Sequence, residues 1–450
     1  MYMIDRVGVV GLGYVGLPLA CALASKLFKV IGLDTDLEKI ELIKKGETPV
    51  YEEGLQELLK KVLEEGSLKL TSSYREMIEE SDACFVCVGT PSNPDGSVDL
   101  RYVKETVEMI SESLRWVDKY FLLIIRSTIP PGTTSNLIKS ILEEKSGKKP
   151  RQYGLCFNPE FLREGRALHD IFNPDRIIIG AIDEKSKELL LDIYKRFHGE
   201  SMPPVLITNP TNAELIKYAS NVFLATKISF INMISQLCQR LPNADVKVVA
   251  EGIGMDKRIG REFLDAGLGW GGSCFPKDVK AFLKFGEEMG LCFKLVESII
   301  EINESQIENA VKLAKELVGN LNGKKISILG LAFKPGTDDV RESRAIRLIE
   351  EFLKYGVEIK AHDPKALEKA KKILGNRVNY CKTVEECLTG SDLCILATEW
   401  PEYKKLNQET LKRHMRIPAL LDCRRLYDPE EFREIKFAAI GLGPKEVRGP

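Results

Sequence analysis

The 450-residue sequence lacks the features that mark membrane, nucleic-acid-binding and secreted proteins. Its longest apolar runs, such as FLLII at 121–125, are strand-sized, whereas a membrane-spanning helix needs about 20 apolar residues. Positive charge is not in excess, because 65 Lys and Arg residues face 66 Asp and Glu residues, so we expect no nucleic-acid partner and no membrane surface. The opening residues already have the pattern of a strand, and we expect no secretory signal.

Residue types that bind metals or form disulfides are scarce or scattered. Eleven cysteines, an odd number without regular spacing, are typical of a reducing compartment, and we expect a cytoplasmic protein. Cys84 and Cys87 have metal-ligand spacing, but they lie in the apolar run ACFVCV without a second pair, which favours a strand interior. The four histidines form no cluster: His169, His198, His362 and His414. We expect no structural metal.

What the sequence does contain is an alternation of short apolar runs with amphipathic segments, and this divides the chain into three regions. Residues 1–205 alternate strand and helix patterns, which predicts a parallel sheet with helices on both faces. Residues 206–318 have helical patterns only, including a helix after a capping box at 211–214 and another over 293–318. Residues 319–450 return to the alternation. We expect an α/β protein in which two Rossmann-like parallel-sheet domains flank a central helical domain.

A glycine-rich turn, GLGYVG at residues 11–16, follows the first predicted strand and opens a helix. Its glycines permit a tight turn, close approach of a pyrophosphate and close helix packing, and Asp34 ends the next strand. The pattern predicts a dinucleotide site in which Asp34 accepts from ribose hydroxyls and repels a 2′-phosphate, so NAD is favoured over NADP. Turns at 88–96 and 127–134 also follow strands and are expected to line this crevice. A glycine-rich turn without a ligand is the alternative.

Carboxylates and a lysine suggest a second site. Glu160 and Glu164 follow a predicted strand end, and if the chain turns helical there they share a face. Lys217 and Asn221 lie four residues apart on the capped helix within an otherwise apolar stretch. A partly desolvated ammonium beside an amide is a good donor pair for an oxygen that gains negative charge. Solvated surface carboxylates and a lysine that extends from a core helix are the alternatives.

The stretch GLGWGGSCFPKD at 267–278 is the most distinctive in the chain. Its glycines indicate backbone that wraps closely around something. Pro276 suits the first turn of a helix, so Cys274 is expected at the helix start, where the dipole and Lys277 favour a thiolate. We predict that Cys274 is a nucleophile and that Asp278 anchors the loop or holds a water. The other ten cysteines are expected to be small buried hydrophobes.

Several of these motifs occur together, and in the same order, in one enzyme family. GLGYVG, CVGTPS, STIPPGTT, NPEFLREG, PDRIIIG, ELIKYASN, the GMDKRIGREFLDAGLGWGGSCFPKD stretch and LAFKPGTDDVRES span nearly the whole chain. In these motifs the sequence closely resembles the UDP-glucose/GDP-mannose dehydrogenase family. The resemblance implies a four-electron oxidation, in which a primary alcohol of a nucleotide sugar becomes a carboxylate and two NAD are reduced. UDP-glucose is the expected substrate and UDP-glucuronate the expected product.

The resemblance also implies catalytic roles. Cys274 would attack the aldehyde intermediate and pass through a thiohemiacetal to a thioester, while Lys217 and Asn221 stabilise the oxyanion. Asp278, with Thr128 and a water, would manage the first proton, and Glu160 would activate the water that hydrolyses the thioester. The implied NAD contacts are Gly11, Gly13, Tyr14, Val15, Gly16, Asp34, Lys39, Thr90, Thr128, Glu164 and Arg341. The implied substrate contacts are Glu160, Phe161, Leu162, Arg163, Glu164, Lys217, Asn221, Phe263, Leu264, Asp265, Ala266, Gly267, Gly271, Lys334 and Arg424.

The family's central helical domain forms a homodimer, so the resemblance further implies that Arg258 reaches the sugar nucleotide of a second copy. One local departure concerns residues 422–425. The family usually has Asp-Gly-Arg there, whereas this chain reads Asp-Cys-Arg-Arg, so a side chain replaces glycine next to Arg424.

Three rival functions stay open at this point. A sibling enzyme would act on GDP-mannose or on a UDP-N-acetylhexosamine. A two-electron hydroxyacid dehydrogenase also carries a lysine and an asparagine four apart, but it lacks the Cys274 loop and needs no third domain. A catalytically inactive NAD-binding regulator would not need a thiol, two carboxylates and a lysine. The number of NADH released per sugar nucleotide separates these functions.

Overall fold

The computed structural model describes residues 3–26 and 28–445. The chain forms two compact units, Met1–Ser220 and Asn221–Pro450, and the boundary between them falls within a single long helix, α9 (Pro210–Cys238). Among the described residues, no helix is both long enough and apolar enough to cross a membrane.

The first unit is built on an eight-stranded sheet with the order β3-β2-β1-β4-β5-β6-β7-β8. Its strands are β1 (Arg6–Val10), β2 (Lys29–Leu33), β3 (Leu68–Thr71), β4 (Ala83–Val86), β5 (Phe121–Ile125), β6 (Tyr153–Phe157), β7 (Ile177–Ala181) and β8 (Val205–Thr208). Its helices are α1 (Gly16–Ala24), α2 (Leu37–Lys44), α3 (Leu55–Glu64), α4 (Tyr74–Glu80), α5 (Arg101–Leu114), α6 (Lys139–Ser146), α7 (Ala167–Phe172) and α8 (Glu184–His198). Separate apolar clusters cover the two faces of the sheet, as expected for central strands buried on both sides.

The prediction of an all-parallel first sheet is wrong at one pair of strands. β6 and β7 pair antiparallel, whereas every other neighbouring pair in this sheet is parallel. The reason is that the connection between them contains only the short helix α7, and it returns to the same end of the sheet. A parallel neighbour would require a full crossover.

The second unit begins with helices and ends with a six-stranded parallel sheet of order β11-β10-β9-β12-β13-β14. After α9 come α10 (Val246–Gly254), α11 (Phe275–Glu288) and α12 (Lys294–Val318). The strands are β9 (Lys325–Leu329), β10 (Glu358–His362), β11 (Asn379–Tyr380), β12 (Leu393–Leu396), β13 (Ala419–Asp422) and β14 (Lys436–Ala439). They alternate with α13 (Arg344–Leu353), α14 (Leu367–Leu374), α15 (Val384–Leu388) and α16 (Gln408–His414). The two Rossmann-like sheets and the intervening helices confirm the predicted fold class.

The start of α9 differs from its sequence prediction. The proposed capping box at 211–214 does not form, because Asn209 accepts a hydrogen bond from the Asn212 N–H (2.9 Å) and so acts as the cap. Glu214, the supposed second member of the box, points elsewhere and bonds to the loop after β5. The second long helix, by contrast, agrees with its prediction to within one residue.

Cys84 and Cys87 pack in the apolar interior of the first unit. Cys84 lies in β4 and Cys87 directly follows it, and burial raises the pKa of both thiols. Across residues 3–26 and 28–445, no group of three or more His, Cys, Asp or Glu side chains is arranged to hold a metal ion.

Candidate active site

The turn between β1 and α1 has the geometry that a dinucleotide requires. Gly11 has φ +89°, a conformation that favours glycine, and a Cβ on Gly16 would lie 1.9 Å from the Gly11 carbonyl oxygen. Apart from Gly13 itself and its two chain neighbours, no described residue has an atom within 4 Å of the position that a Cβ on Gly13 would take, so its backbone is open to a ligand. α1 begins at Gly16, so the positive end of its helix dipole lies at the same turn, where a pyrophosphate is favoured.

Asp34 is held at the end of β2 in its ionised form. Its carboxylate accepts from the N–H groups of Leu12 (2.9 Å) and Asp36 (3.0 Å) and from Lys39 Nζ (2.8 Å). Burial alone would raise the pKa of Asp34, but these hydrogen bonds outweigh it and hold the pKa below its ordinary value. The structure therefore brings Lys39 to Asp34 and ties Asp34 to the glycine turn, which fits the ribose-binding role predicted for the acidic residue.

Two further loops follow neighbouring strands of this sheet. Thr90 lies buried after β4, and Thr128 lies half-buried after β5. The Ser127 hydroxyl donates to the carbonyl oxygen of Val88 (2.7 Å), which fixes the two loops to each other. Because β1, β4 and β5 are parallel neighbours, their carboxyl ends open into one crevice, the usual ligand position in such a sheet.

Lys217 and Glu160 form a buried ion pair in the first unit. Lys217 Nζ donates to Glu160 Oε1 (2.8 Å) and to the Glu160 carbonyl oxygen (2.7 Å), and the two side chains are only 4% and 9% exposed. Burial raises the pKa of Glu160, but Lys217, the N–H of Leu162 and Arg126 together lower it below its usual value. Glu160 is thus a carboxylate at neutral pH, and Lys217 is held in place by it.

Sequence reasoning missed Arg126 and misjudged Glu164. Arg126 is 7% exposed, donates to Asn158 Oδ1 (2.6 Å) and helps to lower the pKa of Glu160. The signal that could have identified it is a charged residue that directly follows the wholly apolar strand β5. Residues 158–166 are irregular and the helix starts only at Ala167, so Glu160 and Glu164 do not share a helical face.

In the second unit, Asn221 and Asp278 form a buried pair next to the predicted nucleophile. Asn221 Nδ2 donates to Asp278 Oδ2 (2.6 Å), and Asp278 is 1% exposed. Cys274 is the N-cap residue of α11, with Pro276 in the first turn, as the sequence predicted. The Cys274 side chain is half-buried and lies 3.5 Å from the Ser273 hydroxyl. Lys277 was expected to act on the thiol, but its ammonium pairs with Asp278.

The glycines before Cys274 let the backbone pack closely against the rest of the second unit. A Cβ on Gly271 would lie 2.2 Å from the Glu342 carbonyl oxygen, and one on Gly269, which has φ +101°, would lie 2.3 Å from Asn303 Oδ1. The backbone therefore wraps closely around other parts of this unit. Arg344 reinforces this packing by donating to the carbonyl oxygens of Leu268 (3.0 Å) and Asn303 (2.7 Å). The result is a loop whose shape the second unit determines before any ligand binds.

Two of the segments predicted to contact the sugar nucleotide lie beside Arg424 in the second unit. Arg424 Nε donates to the Ala397 carbonyl oxygen (2.8 Å), and its NH1 would be 3.4 Å from a Cβ on Gly267. Another Arg424 nitrogen donates to the Phe333 carbonyl oxygen (3.3 Å), next to Lys334. Phe263 has a left-handed backbone with φ +65°. The structure thus brings the loop at 263–267 and the segment around Lys334 to the same guanidinium.

Two other predicted arginines lie in exposed ion pairs. Arg341 bonds to Asp339, and its side chain is 54% exposed. Arg258 bonds to Asp256 (2.6 Å), and its side chain is 89% exposed. Within the described part of the chain, no hydrogen bond or ion pair joins Arg258 to the 263–267 loop.

The departure from Asp-Gly-Arg is accommodated inside the core. Cys423 is fully buried, and burial raises the pKa of its thiol far above the usual range. The residue with a left-handed backbone in this turn is Arg425 (φ +56°), two residues after Cys423. The Arg425 guanidinium pairs with Asp245 (2.5 Å). Cys423 therefore packs without backbone strain, and the neighbouring Arg424 still donates to the carbonyl oxygens of Ala397 and Phe333.

Comparison with known families and proteins agrees with this geometry. Three models of the UDP-glucose/GDP-mannose dehydrogenase family match the chain: the NAD binding domain over residues 5–198, the central domain over 211–305 and the UDP binding domain over 327–429. UDP-glucose 6-dehydrogenase TuaD of Bacillus subtilis (strain 168) is 40% identical, over 99% of this chain and 94% of that protein. UDP-glucose 6-dehydrogenase of Rickettsia felis is also 40% identical, over 97% of this chain and 96% of that protein.

Solved structures of nucleotide-sugar dehydrogenases are also similar to this chain. A UDP-glucose dehydrogenase from the hyperthermophilic archaeon Pyrobaculum islandicum is 41% identical with a TM-score of 0.91, and the match covers 98% of each chain. A UDP-D-ManNAc dehydrogenase from Pyrococcus horikoshii is 29% identical with a TM-score of 0.86, covering 97% of this chain and 99% of that one. As its motifs predicted, the chain belongs to the UDP-glucose/GDP-mannose dehydrogenase family.

Proposed function

We propose that this chain oxidises the C6 alcohol of UDP-glucose to the carboxylate of UDP-glucuronate and reduces two NAD in the process. Relatives named as UDP-glucose 6-dehydrogenases share 40% identity with it over nearly its whole length, while the UDP-D-ManNAc dehydrogenase is 29% identical. The observation that carries the proposal is the position of Cys274 at the start of α11, beside a buried Asn221–Asp278 pair. A two-electron hydroxyacid dehydrogenase has no use for such a thiol.

NAD would be held by the turn at 11–16 and by Asp34, and it supplies the acceptor for two hydrides. The first oxidation also requires that the C6 hydroxyl lose its proton. Asp278 is buried and carries a carboxylate, and with Thr128 and a water it is proposed to take this proton. Lys277 and Asn221 hold the Asp278 carboxylate in one orientation, which suits a group that must receive a proton at a fixed place.

The second oxidation passes through covalent chemistry at Cys274. The thiolate adds to the aldehyde carbon, and the carbonyl oxygen becomes an oxyanion, which Lys217 and Asn221 are proposed to stabilise. One Asn221 N–H binds Asp278, and the amide nitrogen carries a second N–H for this purpose. After the second hydride leaves, the product is a thioester, so the intermediate stays bound while the cofactor exchanges.

Hydrolysis of the thioester releases the product and restores the thiol. Glu160 is proposed to accept a proton from the attacking water, which requires that it be ionised at neutral pH. The low pKa of Glu160 meets that requirement. The C–S bond then breaks, the thiolate leaves, and the carboxylate product departs with the UDP group.

The test of this proposal is stoichiometry across a panel of substrates. We expect two NADH per UDP-glucose, with GDP-mannose, UDP-galactose and UDP-N-acetylmannosamine turned over at far lower kcat/KM. One NADH per UDP-glucose would rule out the thioester route. A far higher kcat/KM for GDP-mannose or UDP-N-acetylmannosamine would assign the chain to a sibling activity.

We also propose a homodimer through the central helices, with Arg258 contributed to the site of the second copy. An exposed apolar stripe along α9 and just beyond it supports this assembly, and an isolated chain would leave it in water. The stripe consists of Phe223 (65% exposed), Phe230 (44%), Met233 (45%), Leu237 (54%) and Leu241 (46%). Phe230→Asp should yield a monomer in light scattering, whereas the same change at the exposed Trp116 should not. A wild-type chain that is active as a monomer contradicts the assembly.

The organisation that we propose has an NAD-binding domain at 1–205, a helical dimerisation domain at 206–318 and a UDP-sugar-binding domain at 319–450. We propose a cytoplasmic location for the enzyme. All eleven cysteines are unpaired, which suits a reducing compartment.

A further inference from the structure

Glu214 is a fully buried carboxylate that bonds to a loop far from it in sequence. It lies near the N-terminal end of α9 and is 0% exposed. Its Oε1 accepts from the Thr134 N–H (2.8 Å) and its Oε2 from the Gly132 N–H (2.5 Å). Both donors belong to the loop at 127–134, which follows β5 and carries Thr128. The side chain thus connects the Thr128 loop to the helix that carries Lys217.

Among residues 3–26 and 28–445, no charged group compensates the buried carboxylate of Glu214. Among the described residues, the groups that act on its pKa are Thr134 and Gly132, and both lower it by hydrogen bonding. Lys217, one turn further along α9, is bound to Glu160. Burial is the largest influence and raises the pKa of Glu214 to about 7. The carboxyl group therefore changes charge within the working range of an enzyme.

We propose that Glu214 is a positioning residue that fixes the Thr128 loop to α9, and that only its ionised form makes both bonds. The link to catalysis rests on the proposed function, because Thr128 is assigned there to NAD binding and to the first proton transfer. The two bonds themselves do not depend on that assignment.

The chemistry of the two bonds explains the dependence on charge. Both partners are backbone N–H donors at fixed positions, so both carboxyl oxygens must accept. A protonated carboxyl group presents an O–H on one oxygen, and that hydrogen faces another donor. Protonation therefore breaks one of the two bonds and loosens the loop. Glu214→Gln has the same shape and places an NH₂ group where the second acceptor was, so it imitates the protonated form at every pH.

Hydrogen exchange of the 127–138 segment tests the bonds without any substrate. Wild type, Glu214→Gln and the control Glu144→Gln, which removes an exposed charge from α6, are compared at pH 8.5 and 6.0 after correction for intrinsic rates. At pH 8.5 the segment should exchange about tenfold faster in Glu214→Gln than in the other two, the effect of losing one hydrogen bond to a charged group. At pH 6.0 the three proteins should agree.

Two exchange results would overturn the proposal: equal exchange at pH 8.5, or a difference at pH 8.5 that persists unchanged at pH 6.0. If Glu214→Gln does not fold, the wild-type series alone decides. Protection of 127–138 relative to α5 should fall as pH drops through 7, and constant relative protection would refute the switch.

A titration with NAD tests the functional half of the proposal. NAD affinity of wild type should weaken severalfold between pH 8.5 and 6.0, while Glu214→Gln should be weak and independent of pH. Glu144→Gln should follow wild type. Faster exchange in Glu214→Gln with wild-type NAD affinity would overturn the positioning role. Hydrogen exchange and NAD titration need no UDP-glucose, so they can be read even if the chain does not oxidise UDP-glucose. The proposal for Glu214 and the proposed function can therefore fail independently of each other.

Discussion

Lys217→Met should leave Glu160 as a buried carboxylate without its ion-pair partner and so lower the free energy of unfolding. A second substitution, Glu160→Gln, should restore part of that loss. Lys217 supplies both the hydrogen bond and the nearby positive charge of a carboxylate that is 9% exposed. Breaking a buried ion pair typically costs about 3–5 kcal/mol of unfolding free energy. Arg126 and the Leu162 N–H remain near Glu160, so we expect the lower end, about 3 kcal/mol.

The double variant Lys217→Met/Glu160→Gln removes both charges and should be about 2 kcal/mol more stable than Lys217→Met alone. Lys44→Met is a control that breaks an exposed pair with Glu41, and it should cost no more than about 0.5 kcal/mol. Urea unfolding followed by circular dichroism at pH 7.5 measures the free energies of unfolding of wild type, Lys217→Met, Glu160→Gln, the double variant and Lys44→Met. If the two substitutions are additive, the double variant is less stable than Lys217→Met by the same amount that Glu160→Gln alone destabilises wild type. That result would refute the coupling between Lys217 and Glu160.

The same cycle has a pH dependence with a definite sign. The folded-state pKa of Glu160 is lowered, so its contribution to stability is present above the unfolded pKa and is lost as pH falls through the folded value. In Lys217→Met the opposing effect of burial should dominate and raise that pKa. The destabilisation by Lys217→Met should therefore shrink between pH 7.5 and pH 5, because a protonated Glu160 needs no counter-charge.

Two further predictions concern NAD and the glycine loop. Asp34→Ala should weaken NAD binding about tenfold or more and narrow the preference for NAD over NADP, since it removes the proposed ribose acceptor and the bond to the Leu12 N–H. An unchanged ratio of NAD to NADP affinity in binding titrations would exclude the ribose contact. Gly271→Ala places a Cβ 2.2 Å from the Glu342 carbonyl oxygen, so it should destabilise the second unit by about 1–3 kcal/mol. The same variant should bind UDP-glucose more weakly and NAD with unchanged affinity. Wild-type affinity for UDP-glucose in this variant would show that the loop shape is not required.

The sequence predicts most of the fold because apolar periodicity reflects burial directly. β4 and β5 are apolar at every position and are buried at every position. β8 reads VLIT, an apolar run whose residues are nevertheless only partly buried or exposed, so apolar character does not reflect burial there; the two-residue β11 is too short for any pattern. The antiparallel pairing of β6 with β7 depends on how a connection returns to the sheet, and a strand pattern contains no information about that.

In the site, local features were predictable and long-range partners were not. Pro276 and the helix pattern located Cys274 at a helix start, because these are effects of neighbours in sequence. The spacing at 211–214 suggested a capping box, but Glu214 bonds to Gly132 and Thr134, some 80 residues away. The tight approach of Gly271 to Glu342 is likewise a tertiary contact. Such partners become visible only when the chain is folded.

Mass spectrometry of the intact Glu160→Gln protein after a single turnover tests the covalent mechanism at Cys274. We predict that this variant transfers both hydrides and retains a UDP-glucuronyl group on Cys274, because the thioester forms but is not hydrolysed. Wild type should carry no adduct at completion, and Cys274→Ser should stall after the first hydride or retain an ester while binding NAD almost normally. An unmodified Glu160→Gln protein after two hydride transfers, or full glucuronate production by Cys274→Ser, would contradict a covalent mechanism at Cys274.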